Sequence, residues 1–238
     1  MNRVILDPYK ILVNYDAVYQ SPIGANGEFL GPLVGYAGTY TDDQGEKKNY
    51  VGSAYFNMAK VEEDAFTRRF FADNLARKII IGNFNPSVLI GAPMGGIIFT
   101  VTIADILKSR ATFFEKKESE LVFNRHTLKK GDKVILVEDL VNNFSTTNKM
   151  IKIVTEMGAE VKAIACIFNR SPYDNWEGIP VISVIHKSVP EYKQDDPLVK
   201  KLIEAGNIVW RPKSKWPRLR AVMEDAEKKK GERNERPS

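Results

Sequence analysis

Residues 134–147, V-I-L-V-E-D-L-V-N-N-F-S-T-T, constrain this chain more than any other stretch. The apolar run 134–137 has the make-up of a buried strand, and two adjacent carboxylates, Glu138 and Asp139, follow it. Neighbouring side chains on a strand point to opposite faces, so two interior acids would leave one against apolar helices at a cost of several kcal/mol. The pair is therefore expected at the strand's carboxyl tip. In an open parallel sheet, ligands gather at that edge, where loops and helix N-termini collect. Acids followed by amides and hydroxyls at a helix start can hold vicinal hydroxyls and a phosphate together, as a sugar phosphate requires. A pair of acids capping a helix or paired with lysines is the alternative.

The rest of the chain agrees with an α/β fold. Residues 87–90 form a short apolar strand, G-A-P-M-G-G at 91–96 a glycine loop, and 97–107 an apolar helix. Residues 111–114 read as the next strand, ending at Glu115, Lys116 and Lys117, and a polar loop spans 118–130 before the strand at 134–137. Met150, Ile153, Val154 and Met157 fall at helical spacing, with Gly158 where a C-terminal glycine is expected. Residues 161–168 and 179–185 are further buried strands, and 62–77 a helix carrying Phe66, Phe70, Phe71 and Leu75. Strands alternating with helices predict a doubly wound, mainly parallel sheet flanked by helices. Residues 1–60, rich in tyrosine and turn pairs, are expected to form a small hood. Residues 61–212 are the expected core, and 213–238 a basic extension fraying after Lys228.

Composition excludes several classes. With 238 residues the chain can bury a full core, and no apolar run approaches the roughly 20 residues of a membrane span. Neither a signal peptide nor a membrane role is expected. The only cysteine, Cys166, lies in the apolar run 163–168, so it reads as a small buried hydrophobe in a reducing, cytoplasmic compartment. With one cysteine and only His126 and His186, a closed zinc site cannot be assembled, and no protein metal site is predicted. The net charge of +5 owes much to Arg211, Lys213, Lys215, Arg218, Arg220 and 228–230, which read as a solvated face in preference to a nucleic-acid surface.

Among the candidate site groups, Asn142, Asn143, Ser145 and Thr146 surround the helix start, although Ser145, Thr146 or Thr147 would serve equally as a helix cap. The glycines of 91–96 let backbone approach a diphosphate, or make a tight strand-to-helix turn. Lys116 and Lys117, before a loop containing Arg125, His126, Lys129 and Lys130, are placed to neutralise a leaving anion.

At these residues the chain resembles the type I phosphoribosyltransferases, and within them the orotate enzymes. Residues 134–147 follow the family's strand, two acids and hydroxyl loop. The resemblance covers roughly 50–170, including 52–60, similar to the segment beside the base site. It implies that Glu138 and Asp139 hold the ribose hydroxyls and that Asn142, Asn143, Phe144, Ser145 and Thr146 cradle the 5-phosphate. Ala92, Pro93, Met94 and Gly95, with Lys116 and Lys117, would line the diphosphate. Lys117 and Asp139 would act in catalysis, and Tyr55 and Phe56 would contact the base. Mg²⁺ would be held mainly through the substrate diphosphate, and the assembly would be a homodimer. The implied activity is transfer of a 5-phosphoribosyl group from phosphoribosyl diphosphate to a nucleobase, orotate first. A purine or other base, or a non-catalytic nucleotide-binding regulator on the same fold, is the alternative. One departure stands out: Asn143, Phe144 and Ser145 replace a Thr and two small residues. If position 144 needs a positive φ, Phe costs about 1–2 kcal/mol and its ring crowds the phosphate pocket. Either the loop takes another path or phosphate binding is weakened.

Overall fold

The protein was analysed as a computed structural model that describes residues 6–118 and 120–234. In chain order the elements are α1 (Pro8–Asn14), β1 (Val18–Gln20), β2 (Leu33–Thr41), β3 (Lys47–Gly52), β4 (Ala54–Phe56), α2 (Ala59–Glu62), α3 (Ala65–Ile81), β5 (Val88–Gly91), α4 (Gly95–Leu107) and β6 (Arg110–Phe113). They continue with β7 (Glu115–Lys117), β8 (Glu120–Val122), β9 (Lys133–Val141), α5 (Ser145–Glu156), β10 (Glu160–Asn169), β11 (Asn175–Trp176), β12 (Ile179–His186), β13 (Glu191–Tyr192), α6 (Pro197–Glu204), β14 (Ile208–Val209) and α7 (Trp216–Asn234). No helix among the described residues is long and apolar enough to cross a membrane.

The chain forms two compact units, Met1–Tyr15 with Met58–Ser188, and Asp16–Asn57 with Val189–Ser238. The hood expected over 1–60 and the core expected over 61–212 are thus cut differently, because packing joins early strands to residues from Val189 onward. In the second unit the sheet order is β13-β3-β2-β14, with β1 and β4 as a separate ribbon. Its core brings Tyr19, Val34 and Tyr36 against Val209, Trp216 and Leu219. A polar tie holds the same join, the Trp216 indole N–H donating to Asp16 Oδ2 at 3.0 Å, while within the early segment the Tyr19 hydroxyl donates to the Pro32 carbonyl at 2.7 Å. Part of the segment read as a basic extension is therefore core-forming helix. The fraying expected beyond Lys228 lies outside the residues whose side chains are described.

In the first unit a six-stranded sheet has the order β11-β12-β10-β9-β5-β6. The pairs from β12 through β10, β9 and β5 to β6 are parallel, and only β11 is antiparallel to its neighbour. The doubly wound reading is correct. From β5 the chain crosses through α4 to β6 on one side, then returns to β9 on the other, so direction reverses between β5 and β9. Open α/β sheets bind their ligands at the carboxyl ends of such a pair.

The two faces of the sheet follow from strand periodicity. Val134 and Leu136 point with Val88 and Ile90 toward Met150 and Val154 of α5. Ile135 and Val137 point the other way, toward α4, whose first turn meets the Val137 carbonyl. On that side α3 buries Phe71, Ala72, Leu75, Ala76 and Ile79, while Phe66 stays 57% exposed. The helix starts at Ala65 because Asp64 is its N-cap, accepting from the Thr67 N–H at 2.8 Å. The short helix α1 escaped the sequence reading, although Asp7 caps it and Pro8 sits in its first turn, both ordinary start signals. At the other end of α5, Gly158 takes φ 79°, the left-handed position that follows a helix C-terminus.

Candidate active site

The pairing of β9 decides where its acids sit. On one side β5 ends at Gly91, opposite Val137, and the Ala92 N–H closes the pairing on the Val137 carbonyl at 2.9 Å. On the other side β10 continues to pair as far as Asn169 opposite Val141. The strand therefore runs through Glu138 and Asp139 to Val141, four residues past the apolar run in the sequence reading. The acids are at a tip with respect to β5 alone. They also diverge. Glu138 shares the α5 face with Leu136 and, across β10, with Cys166, and is 8% exposed. Asp139 turns to the other face, toward the start of α4, and is half-buried.

Two glycines make that approach possible. A Cβ on Gly95 would strike the Asp139 carboxylate and come within 2.6 Å of Glu62 Oε1. A Cβ on Gly96 would strike the Val137 carbonyl oxygen. Only glycine lets the N-terminus of α4 lie against β9 here, where the positive end of the helix dipole faces Asp139. Glu62, on α2, was missed by the sequence reading; its acid signal was assigned to the first turn of a helix that in fact begins after it. In the loop between, Ala92 is buried, Pro93 half-buried and Met94 78% exposed.

The second loop leads from β9 into α5. Phe144 occupies the N-cap position with φ 56° and ψ 12°, so position 144 does take the left-handed conformation. Its ring does not stand in the loop. It is 2% exposed and packs with Val141, Ile164, Cys166 and Val181. Phe144 has only its backbone to offer a phosphate. Asn143 and Ser145 are exposed, Asn142 and Thr146 half-buried, and Thr147 is turned inward. None of the three hydroxyls takes the N-cap; instead Asn143 Oδ1 accepts from the Ser145 N–H at 3.3 Å.

Lys116 and Lys117 are exposed on β7, just beyond the end of β6. The loop expected over 118–130 is partly ordered as a hairpin: β8 pairs with β7 through Lys117 opposite Glu120, after Glu118 at φ 55°. Alternating apolar residues explain it, since Leu121 and Phe123 both join the α5-side core and Phe123 meets Phe114 at 4.9 Å. Arg125 pairs with Glu115 at 3.3 Å and His126 stands edge-on to Phe113 at 5.0 Å, so both brace the base of the hairpin. Lys129 and Lys130 are carried to the amino end of β9, where Asp132 accepts from the Lys129 N–H and ties to Ser87 and Arg110. They are not brought to the site. Tyr55 and Phe56 lie on β4 of the second unit, Phe56 buried and Tyr55 half-buried with its ring 6.0 Å from Trp216.

Arg170 is a further residue that sequence reasoning missed. It follows β10 directly, its N–H donates to the Val141 carbonyl at 3.0 Å, and its side chain is 4% exposed. The one available signal was a charged residue directly after the longest buried strand.

Burial pushes the Glu138 carboxyl well above its ordinary 4.5, the Asp139 charge adds to this, and the Lys116 ammonium opposes it. A folded-state acid that holds its proton more tightly stabilises the fold fully below pH 4.5, and that contribution is lost as pH rises through the raised value. Glu138→Gln is therefore expected to raise stability at neutral pH by about 1 kcal/mol, with the gain shrinking to nothing in acid. Thermal melts of both proteins across this range are the check; a gain that persists in acid would have another origin.

The pattern of the phosphoribosyl transferase domain family matches residues 69–194, more than half of the chain. The chain belongs to the phosphoribosyltransferase family. Among its relatives, the orotate phosphoribosyltransferase of Carboxydothermus hydrogenoformans is 32% identical over 139 residues, covering 58% of this chain and 73% of that protein. That of Thermotoga maritima is 29% identical over 155 residues, covering 64% and 82%. The crystal structure of orotate phosphoribosyltransferase from Aeropyrum pernix superposes with a TM-score of 0.51 at 18% identity, over 84% of this chain and 99% of that one. The Leishmania donovani UMP synthase gives 0.51 at 16%, over 92% and 42%. The last two similarities speak for the fold. As a phosphoribosyltransferase, the protein carries the matched region across both strands of the switch point, with the glycine loop after β5 and the acid-and-hydroxyl loop after β9.

Proposed function

We propose that this phosphoribosyltransferase transfers the 5-phosphoribosyl group of phosphoribosyl diphosphate to orotate, a step of pyrimidine nucleotide synthesis. The observation that carries the reading is that two helices start just past the neighbouring strands β5 and β9, α4 at Gly95 and α5 at Ser145, with the Asp139 carboxylate against the first of them. Two anion-binding helix starts and a carboxylate match a ligand with phosphates at both ends and hydroxyls in the middle. In this reading Ala92, Pro93, Met94 and Gly95 line the diphosphate, Asn142, Asn143, Ser145, Thr146 and the Phe144 backbone receive the 5-phosphate, and Asp139 accepts from the ribose hydroxyls, with Glu138 behind it. The bond from ribose C1 to the diphosphate oxygen breaks, positive charge develops on the sugar, and a ring nitrogen of the base attacks C1. Lys116 and Lys117, exposed beside the diphosphate loop, stabilise the leaving group.

Mg²⁺ fits this donor set. The Glu62 and Asp139 carboxylates converge beside Gly95, and among the described residues no group of three or more metal-ligating side chains is found, so the diphosphate would supply most of the ligands. Held by Glu62, Asp139 and the diphosphate, such an ion would supply neutralisation of the charge on the departing group. The names of the relatives support orotate as acceptor. A cytoplasmic homodimer completes the proposal, supported by the exposure of Phe66, Ile80 and Ile81 on α3 and of Ile98 and Val101 on α4.

The test is turnover of phosphoribosyl diphosphate with Mg²⁺ and a panel of orotate, uracil, adenine and hypoxanthine. Orotate is expected to be the best acceptor. Turnover with a purine in preference to orotate would move the assignment to another acceptor. Failure to bind phosphoribosyl diphosphate in a calorimetric titration would end the catalytic reading.

A further inference from the structure

The aromatic residue at the start of the phosphate loop is held by another outside it. Phe144, at left-handed φ immediately before α5, lies almost flat on Trp176, with ring centroids 4.2 Å apart and planes 7° from parallel. The same indole donates its N–H to Asn148 Oδ1 at 2.7 Å, in the first turn of α5. Tyr173 closes the stack edge-on at 5.4 Å from Trp176. One side chain thus grips the residue before the helix start and a residue one turn inside it. These two points bracket the N–H groups that the proposed function assigns to the 5-phosphate.

Trp176 is itself firmly placed. It ends β11, whose hairpin to β12 turns through Glu177 at φ 51° and Gly178 at φ 85°, with Trp176 opposite Ile179. Two consecutive positive φ values make the tight turn that matches strand twist. Gly178 N–H donates to Asn175 Oδ1 at 3.0 Å and reinforces it.

We propose that Trp176 is a positioning residue for phosphoribosyl binding: through its stack on Phe144 and its hydrogen bond to Asn148 it presets the loop 142–146 and the first turn of α5 for the 5-phosphate. This rests on the proposed function. It also accounts for the bulky residue at 144, whose ring serves as the loop's anchor and is withdrawn from the phosphate's path. Ordering the loop before the ligand arrives removes an entropic cost from binding. Trp176 touches no reacting atom, so its effect belongs to binding and not to the chemical step.

The experiment measures dissociation constants for ribose 5-phosphate and for phosphoribosyl diphosphate with Mg²⁺, together with steady-state kinetics. Trp176→Leu is expected to weaken both ligands about 3- to 10-fold, the part of the worth of an aromatic pair and one hydrogen bond that reaches the ligand through loop order, with kcat nearly unchanged. Trp176→Phe keeps the stack and is expected to recover part of the loss. Asn148→Ala supplies an independent arm, because Ala favours the helix and a weaker helix cannot be the cause of weaker binding. In protein labelled with fluorotryptophan, the resonance that Trp176→Phe removes is expected to shift on adding ribose 5-phosphate and not on adding ribose. Equal affinities in wild type, Trp176→Leu and Asn148→Ala, or an unmoved Trp176 resonance at saturating ribose 5-phosphate, would overturn the inference while leaving the proposed function standing. A wild-type protein that binds neither ligand would overturn both.

Discussion

Asp139→Asn is expected to lower kcat/KM for phosphoribosyl diphosphate by about 10- to 100-fold, with a change in stability of no more than about 1 kcal/mol. The first figure is the worth of a hydrogen bond from a hydroxyl to a charged acceptor, lost when the carboxylate becomes a neutral amide that keeps the shape. The second follows from position. Asp139 is half-buried on the α4 side, and the amide keeps the shape of the carboxylate while giving up its charge beside the helix start. Kinetics and thermal melts on the same preparation separate the two quantities. Global unfolding of the variant would make Asp139 a structural residue, and an unchanged kcat/KM would remove it from the ribose. The comparison with Glu138→Gln sharpens the test, since that neighbour is buried and is expected to respond with increased stability.

Phe144→Gly is expected to destabilise the protein by about 1–4 kcal/mol, although it relieves an unfavourable backbone conformation. Glycine gains about 1–2 kcal/mol at a left-handed position. Deleting a buried Phe ring costs about 3–5 kcal/mol when the site cannot collapse, and here the ring lies among Val141, Ile164, Cys166 and Val181 with Trp176 stacked on it. Burial therefore wins over strain, and Tm should fall by roughly 2–16 °C for a chain of this size. Phe144→Leu keeps most of the apolar contact and the strained φ, and is expected to lose distinctly less. If the glycine variant melted at or above the wild-type temperature, the ring would contribute little, and backbone strain at 144 would outweigh its burial. The same substitution weighed from sequence alone points the other way, toward tighter phosphate binding, because the destination of the ring is invisible there.

That reversal shows where sequence stops informing. The strand, double acid and hydroxyl loop of 134–147, the glycine loop of 91–96 and the alternation of strands with helices were legible, because each is written in side-chain period and turn chemistry among near neighbours. The doubly wound parallel sheet follows from them, and the family from the motif they form. Other features depend on partners far along the chain. β9 runs through Glu138 and Asp139 because β10 is long enough to pair with it after β5 has ended. The acids separate onto opposite faces for the same reason, one into burial and one toward α4. Leu121 and Phe123 turn an expected loop into a hairpin by finding Phe114 and the α5-side core. Arg170 carries no motif of its own, and its burial appears only once β10 has been placed beside Val141.

By itself, then, the amino-acid order determined the kinds of element, their succession and the chemistry gathered at one edge of a parallel sheet. Tertiary structure alone decided which acid is buried, that the Phe144 ring leaves the phosphate loop for Trp176, and that residues 16–57 share a core with residues after 189. The physical reason is range: hydrogen-bond period and backbone preference act between residues a few positions apart, whereas burial and charge depend on whatever the completed fold sets alongside.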